Sequence, residues 1–184
     1  MKKFLSVWAL ALVAMACSTS DYQSEMDELK QLQSTVDSLQ NQVASINADT
    51  LAKWNAYANS RASVIKRKLR DTAFANKHID IISEVIADAK YLQKMAKDRS
   101  DFTQELTYAS EQLEKLMVDL KNNALDSAQV YEFMASERMA VLTLQNNVTK
   151  RVPLAAQAIE TMDSLSVELD SLMNYMDQNG YFNP

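Results

Sequence analysis

Glycine and proline are almost absent from this 184-residue chain, which contains one glycine, Gly180, and two prolines, Pro153 and Pro184. Tight turns and hairpin connections depend on these two residue types, so the chain lacks the residues that a β-sheet protein needs at its turns. Phosphate-binding loops need several glycines, which excludes the glycine-rich nucleotide-binding motifs. The chain is rich instead in Ala, Leu, Gln, Glu, Lys and Met, which are good helix formers and predict an all-α fold.

Histidine and cysteine are equally scarce: His78 is the only histidine and Cys17 is the only cysteine. Asp80 lies two positions after His78, and helix residues at that spacing do not face the same way. The paired Glu-x-x-His motifs of di-iron helical bundles are missing, as is the Gly-x-Ser-x-Gly elbow of hydrolases. We therefore predict no metal site, no cofactor and no enzymatic activity.

The chain also lacks an excess of positive charge, since its formal net charge is −5. Affinity for nucleic acids comes largely from lysine and arginine side chains that neutralise phosphates. An acidic chain is poorly suited to that role. We predict no nucleic-acid partner.

One long apolar run is present, and it lies at the N-terminus. Residues 4–16 are apolar apart from Ser6, and Lys2 and Lys3 precede them. A membrane-spanning helix needs about 20 apolar residues, so this run is too short to be one, whereas its length fits the apolar region of a secretory signal peptide. A lone cysteine in an exported chain cannot close an internal disulfide, yet Cys17 directly follows the run.

The end of this stretch, "AMACS", resembles the lipobox of bacterial lipoproteins, in which the cysteine becomes the lipidated first residue of the mature chain. The resemblance covers only residues 1–17 and implies an acyl anchor, including a palmitate-type chain, on Cys17. Because Ser18 rather than an acidic residue follows, it also implies the outer membrane. An ordinary signal peptide with Cys17 as a bystander is the alternative. We predict a signal peptide at 1–16, a lipidated tether at 17–24, a helical bundle at 25–178 and a tail at 179–184.

Apolar residues in the remainder recur at alternating intervals of three and four, the heptad pattern of helices that pack along one seam. The pattern occurs in three stretches: Leu29, Leu32, Val36, Leu39, Val43, Ile46; Phe102, Leu106, Ala109, Leu113, Leu116, Leu120; and Ala158, Met162, Leu165, Leu169, Leu172, Met176.

Connections between helices are predicted at three places. "DTAFAN" (71–76) would let Asn76 cap the next helix, Asp126 with Gln129 fits a capping box after "NN", and Gly180 would end the last helix. The resulting segments, 22–71, 76–122 and 126–178, predict a long antiparallel three-helix bundle or coiled coil. The alternative is a compact bundle of five or six shorter helices.

Each segment has a polar weak point near its middle, at residues 47–50, 98–101 and 150–153. Antiparallel packing would bring the three together as a polar waist. Arg99 stands at an expected core position there, and Pro153 should bend its helix. If the weak points were real turns, the compact bundle would result instead.

A basic segment occurs at residues 61–70, with five cations and no carboxylate: Arg61, Lys66, Arg67, Lys68 and Arg70. It is either a patch for an anionic partner or the internal partner of an acidic segment. In the three-helix arrangement that acidic segment is the end of the third helix, with Glu160, Asp163, Glu168, Asp170 and Asp177. Such pairing would fix helix register more than it adds stability.

A triplet of Asp, then Ser or Thr, then a small or aliphatic residue occurs six times. It resembles the O-glycosylation sequon used on exported proteins by some Gram-negative anaerobes, although caps and heptad flanks also favour these residues. The hydroxyl residues are Ser38, Thr50, Thr72, Ser127, Ser164 and Ser171.

These features together predict a lipid-anchored cell-envelope protein that serves as a helical spacer, scaffold or docking module for another envelope protein. The alternative is an envelope module that binds an anionic ligand through residues 61–70. The sequence leaves the membrane face, the oligomeric state and the partner open. Tyr181 and Phe182 could be an exposed anchor or could fold back on the bundle end.

Overall fold

A computed structural model describes residues 22–69 and 72–181, and within these residues the chain is all-α. Two of its helices are very long, with 43 and 52 residues. The helices are α1 (Gln23–Ser45), α2 (Ala48–Lys68), α3 (Thr72–Lys77), α4 (Ile79–Lys121) and α5 (Ser127–Gln178). The prediction of an all-α bundle of long helices is confirmed.

Side-chain contacts between the helices define their directions. Contacts between the α1–α2 stretch and α5 keep a nearly constant separation of 109 or 110 residues, so these elements run in parallel. Contacts to α4 run the opposite way, since Gln33 meets Ser110 and the later Ile46 meets the earlier Arg99. Helix α2 therefore continues in the direction of α1 rather than turning back.

Most of the heptad positions read from the sequence lie in the core. Leu29, Leu113 and Leu169, one from each heptad stretch, are fully buried. Leu32, Leu165 and Leu172 are only half-buried. Helix propensity alone seldom keeps helices folded in water, so burial of the seam residues holds the bundle together.

The first predicted segment, 22–71, is not one helix, because it is interrupted after Ser45. Ile46 adopts an extended backbone but keeps its side chain in the core, and the Asn47 side chain accepts a hydrogen bond of 2.9 Å from the Thr50 amide to cap α2. The other two weak points lie inside continuous helices, including the one that contains Pro153. One of the three predicted weak points is thus a real helix break.

The next connection also differs from the prediction. Helix α3 begins at Thr72 within the proposed connection, and α4 begins at Ile79 after His78, so Asn76 is not its cap. Asn76 lies inside α3, where its amide cannot act as an N-cap.

The last two predicted helix ends are confirmed. Asp126 and Gln129 form a reciprocal capping box at the start of α5, with bonds of 2.9 and 3.0 Å. Gly180 has a φ of +70°, and Tyr181 donates its amide to the carbonyl of Met176, which is the glycine-terminated Schellman motif. Asn123, with a φ of 50°, plays the same part after α4.

Candidate functional site

The first cation of the basic segment lies in a hydrogen-bonded cluster between α2 and α5. Arg61 donates to the Asp170 carboxylate at 2.9 and 3.1 Å, and the Tyr57 hydroxyl donates to the same oxygen at 2.8 Å. The guanidinium also lies 4.8 Å from the centre of the Tyr57 ring. Burial, followed by the bond to Asp170, raises the pKa of the Tyr57 phenol. Arg61 is therefore an internal partner of the acidic segment.

The next three cations have a different environment. Lys66, Arg67 and Lys68 are exposed on the last turn of α2, and no carboxylate of residues 22–69 or 72–181 forms an ion pair with them. Arg67 donates only to the carbonyl of Ser63, at 3.3 Å. Positive charge is favourable at a helix C-terminus, which accounts for the local stability of the cluster.

Arg70, the fifth cation, lies outside the described residues. The predicted internal pairing thus holds for one of the four described cations. Of the predicted acidic partners, only Asp170 takes part in an ion pair within the described parts of the chain. The exposed trio Lys66, Arg67 and Lys68 is the part of the segment that an external anion could reach.

An aromatic cluster lies at the same end of the bundle. The Phe74 ring centre lies 4.4 Å from that of Tyr181, 4.6 Å from that of His78 and 6.1 Å from that of Tyr175. These rings and Lys77 line an open cavity of about 610 Å³. Tyr181 therefore folds back on the bundle end, and His78 is part of an aromatic contact.

Two contacts between helices form at the polar waist. Arg99 of α4 donates to the Ile46 carbonyl at 3.2 Å, and Asp98 pairs with Arg151 of α5 at 2.9 Å. The Ile46 carbonyl lies at a helix end, where it has lost its intrahelical donor. Arg99 supplies that donor, which explains a cation at a seam position.

Asp88 of α4 is the one buried charged residue among the described residues, with 7% of its surface exposed. Its Oδ2 atom has no hydrogen-bond partner there. Burial, with repulsion from Glu84 one turn earlier, raises the pKa of Asp88 to about 6. Its carboxyl group therefore titrates near neutrality and weakens the core when it is ionised.

A groove of about 660 Å³ runs along the α4–α5 seam, between Tyr108 and Met139. Glu137 lies at its edge, and burial raises the pKa of that carboxyl group. Tyr108 and Met139 are exposed, so the groove offers apolar surface to solvent.

The described residues contain no group of three His, Cys, Asp or Glu side chains that could hold a metal ion. Between residues 22 and 181, apart from 70 and 71, no helix is both long and apolar enough to cross a bilayer. Cys17 lies outside the described residues. Of the six sequon residues, Thr50 is half-buried, the side chain of Thr72 lies outside the description, and the exposed ones are Ser38, Ser127, Ser164 and Ser171.

No family model, curated protein or solved structure matches this chain.

Two features of the protein surface were not predicted from the sequence, the α4–α5 groove and the aromatic cluster. Tyr108 and Met139 lie off the seam positions, so the heptad pattern places them on the surface but gives no sign of the groove between them. The buried acid Asp88, by contrast, had a signal, because it stands three positions after Val85 and four before Leu92, on the seam itself.

Proposed function

We propose that this chain is a lipid-anchored cell-envelope protein whose helical rod acts as a spacer, scaffold or docking surface for another envelope protein. The observation that carries the proposal is the position of Cys17, directly after a short apolar run and five residues before the first described residue, Tyr22. The resemblance to the lipobox supports an acyl anchor at that residue. The proposal includes no catalytic activity.

The dimensions of the helices support a spacer. Helix α5 has 52 residues and, at 1.5 Å per residue, is about 78 Å long. Two contacts for each pair of rods support a parallel course of the α1–α2 stretch beside α5 and an antiparallel course of α4. They are Glu28 with Arg138 and Arg61 with Asp170 for the first, and Gln33 with Ser110 and Ile46 with Arg99 for the second. We infer a three-rod arrangement that carries the anchor at one end and the basic trio at the other.

Metabolic labelling tests the anchor. The full-length protein and its Cys17→Ala variant are expressed in a bacterium fed with a clickable fatty acid. We expect label on the wild-type protein and none on the variant. Equal labelling of both proteins, or label on neither, would refute the assignment.

The second candidate function is binding of an anionic ligand. It is favoured by the exposure of Lys66, Arg67 and Lys68, which form no ion pair with residues 22–69 or 72–181. Its test reverses these three cations to Glu and measures the salt concentration that elutes the protein from a heparin column. The matched control reverses three exposed lysines of α4, Lys90, Lys94 and Lys97.

If the trio is the site, its reversal lowers the eluting salt concentration far more than the control reversal. Equal shifts would show that only the overall charge matters, because exposed charges act nonspecifically through long-range attraction. The control variant should keep the wild-type melting temperature, since exposed surface charges contribute little to stability. The trio reversal places three carboxylates on the last turn of α2, where negative charge is unfavourable, so its melting temperature should fall slightly while the protein stays folded.

We further propose O-glycosylation at the exposed sequon residues, on the resemblance of the triplets and their accessibility. Ser38 lies on α1, Ser127 on the first turn of α5, and Ser164 and Ser171 farther along α5. Intact mass spectrometry of the protein from its own cells tests this. A mass equal to that of the lipidated peptide alone would exclude it.

A further inference from the structure

The end of the bundle nearest Cys17 exposes large apolar side chains. This end contains Tyr22, where the described chain begins, and residues 122–126, where α4 connects to α5. The bidentate ion pair of Glu28 with Arg138 fixes the start of α1 beside the start of α5. We call Val118, Tyr131 and Phe133 the apolar girdle of this end.

The girdle residues are close to the end of their helices. Val118 lies three residues before the end of α4, and Tyr131 and Phe133 lie four and six residues after the start of α5. At 1.5 Å per residue, all three are within about 10 Å of the bundle end. Their exposed fractions are 55% for Val118, 79% for Tyr131 and 42% for Phe133.

The length of chain between the anchor and the bundle limits how far this end can be from the bilayer. Four residues lie between Cys17 and Tyr22, so five residue steps join them, and each step spans at most about 3.6 Å. The bundle end is therefore held within about 18 Å of an acylated Cys17. Tyrosine is favoured where apolar and polar surroundings meet, as in the headgroup layer of a membrane.

We propose that the apolar girdle contacts the lipid headgroup layer and so holds the anchored bundle upright. The occupant of this surface is the bilayer interface. The inference rests on the proposed lipid anchor and adds a second point of contact to it. Without that contact, an acyl anchor at one residue would leave the tilt of the bundle unset, and a spacer would have no defined height.

Two tryptophan reporters test the contact, Tyr131→Trp in the girdle and Val167→Trp far along α5. The two native side chains have the same exposed fraction, 79%, so the variants are matched in accessibility. Each lipidated full-length mature protein is reconstituted into phosphatidylethanolamine–phosphatidylglycerol vesicles with and without brominated acyl chains. The signal of the parent protein, whose Trp54 is buried in the core, is subtracted.

We expect the reporter at position 131 to shift to shorter wavelength and to lose most of its emission to the brominated lipid, while the reporter at 167 keeps its emission. If both reporters stay unquenched while the proteins still float with the vesicles, the girdle contact is refuted and the anchor stands. If the proteins do not float with the vesicles, the proposed anchor itself fails. A concentration-dependent shift at 131 without lipid would also refute the proposal, by identifying a second copy of the chain as the occupant.

Discussion

Replacement of Asp88 by Asn should stabilise the bundle at neutral pH. The native carboxyl group is buried, its Oδ2 atom has no hydrogen-bond partner among the described residues, and its pKa is raised from 3.8 to about 6. A carboxyl group whose pKa is raised on folding adds stability below about pH 3.8, and this contribution is lost as the pH rises through about 6. The ionised form is the destabilising one.

The pKa difference sets the size of the effect. The rise from 3.8 to about 6 in the pKa of Asp88 corresponds to at most about 3 kcal/mol, and residual solvent access near the helix surface reduces this to about 1–2 kcal/mol. Such a gain should raise the melting temperature by about 2–8 °C for a chain of this size. The amide of Asn has the same shape and no charge, so the volume of the core is unchanged.

Urea unfolding followed by far-UV circular dichroism, at about pH 4 and about pH 7.5, measures the effect. The free energy of unfolding of Asp88→Asn should exceed that of the wild type at the higher pH, and the gap should close at the lower one. Asp101→Asn, at an exposed position of the same helix, is the control and should change little. A destabilised Asp88→Asn variant at neutral pH would show that the ionised carboxylate has a partner that stabilises it.

Three further substitutions test the helix ends and the seam. Arg99→Met removes the donor to the Ile46 carbonyl and should cost about 1–3 kcal/mol in urea unfolding, so an unchanged midpoint would mean that the carbonyl is hydrated instead. Asp126→Ala breaks the capping box with Gln129 and should cost about 1 kcal/mol by the same assay, whereas no loss would show that the α5 start is held by packing alone. Leu106→Ala leaves a cavity at a fully buried seam position and should lower the unfolding free energy by about 2–5 kcal/mol; a loss below about 1 kcal/mol would contradict its place in the core.

The helices and several of their ends were predictable because their causes are local. A heptad stripe becomes buried wherever a neighbouring helix covers it. The capping box of Asp126 and the left-handed backbone of Gly180 depend only on residues within one turn. Neighbouring residues alone could not predict which weak point is a helix break and which lies inside a continuous helix. Helix α1 ends at Ser45 and Asn47 caps α2, and the Ile46 carbonyl that the break leaves free accepts a hydrogen bond from Arg99, which is distant in sequence.

The candidate site was predictable as a set of residues but not as a set of contacts. Five cations and five carboxylates were placed at one height, yet only Arg61 and Asp170 are paired in the described structure. Pairing depends on which face of α2 meets α5, and Tyr57 selects that face by its bonds to Ser166 and Asp170. Lys66 lies five residues beyond Arg61 and is exposed instead.

We propose that an acyl group on Cys17 holds a long helical rod upright on a membrane, and such a rod forms a protein layer as thick as the rod is long. Neutron reflectometry of the lipidated protein on a supported bilayer measures the thickness of the protein layer directly. We expect a layer about 80 Å thick for the wild type and no retained layer for Cys17→Ala. A layer about 25 Å thick, the width of two packed helices, or equal retention of both proteins, would contradict the account.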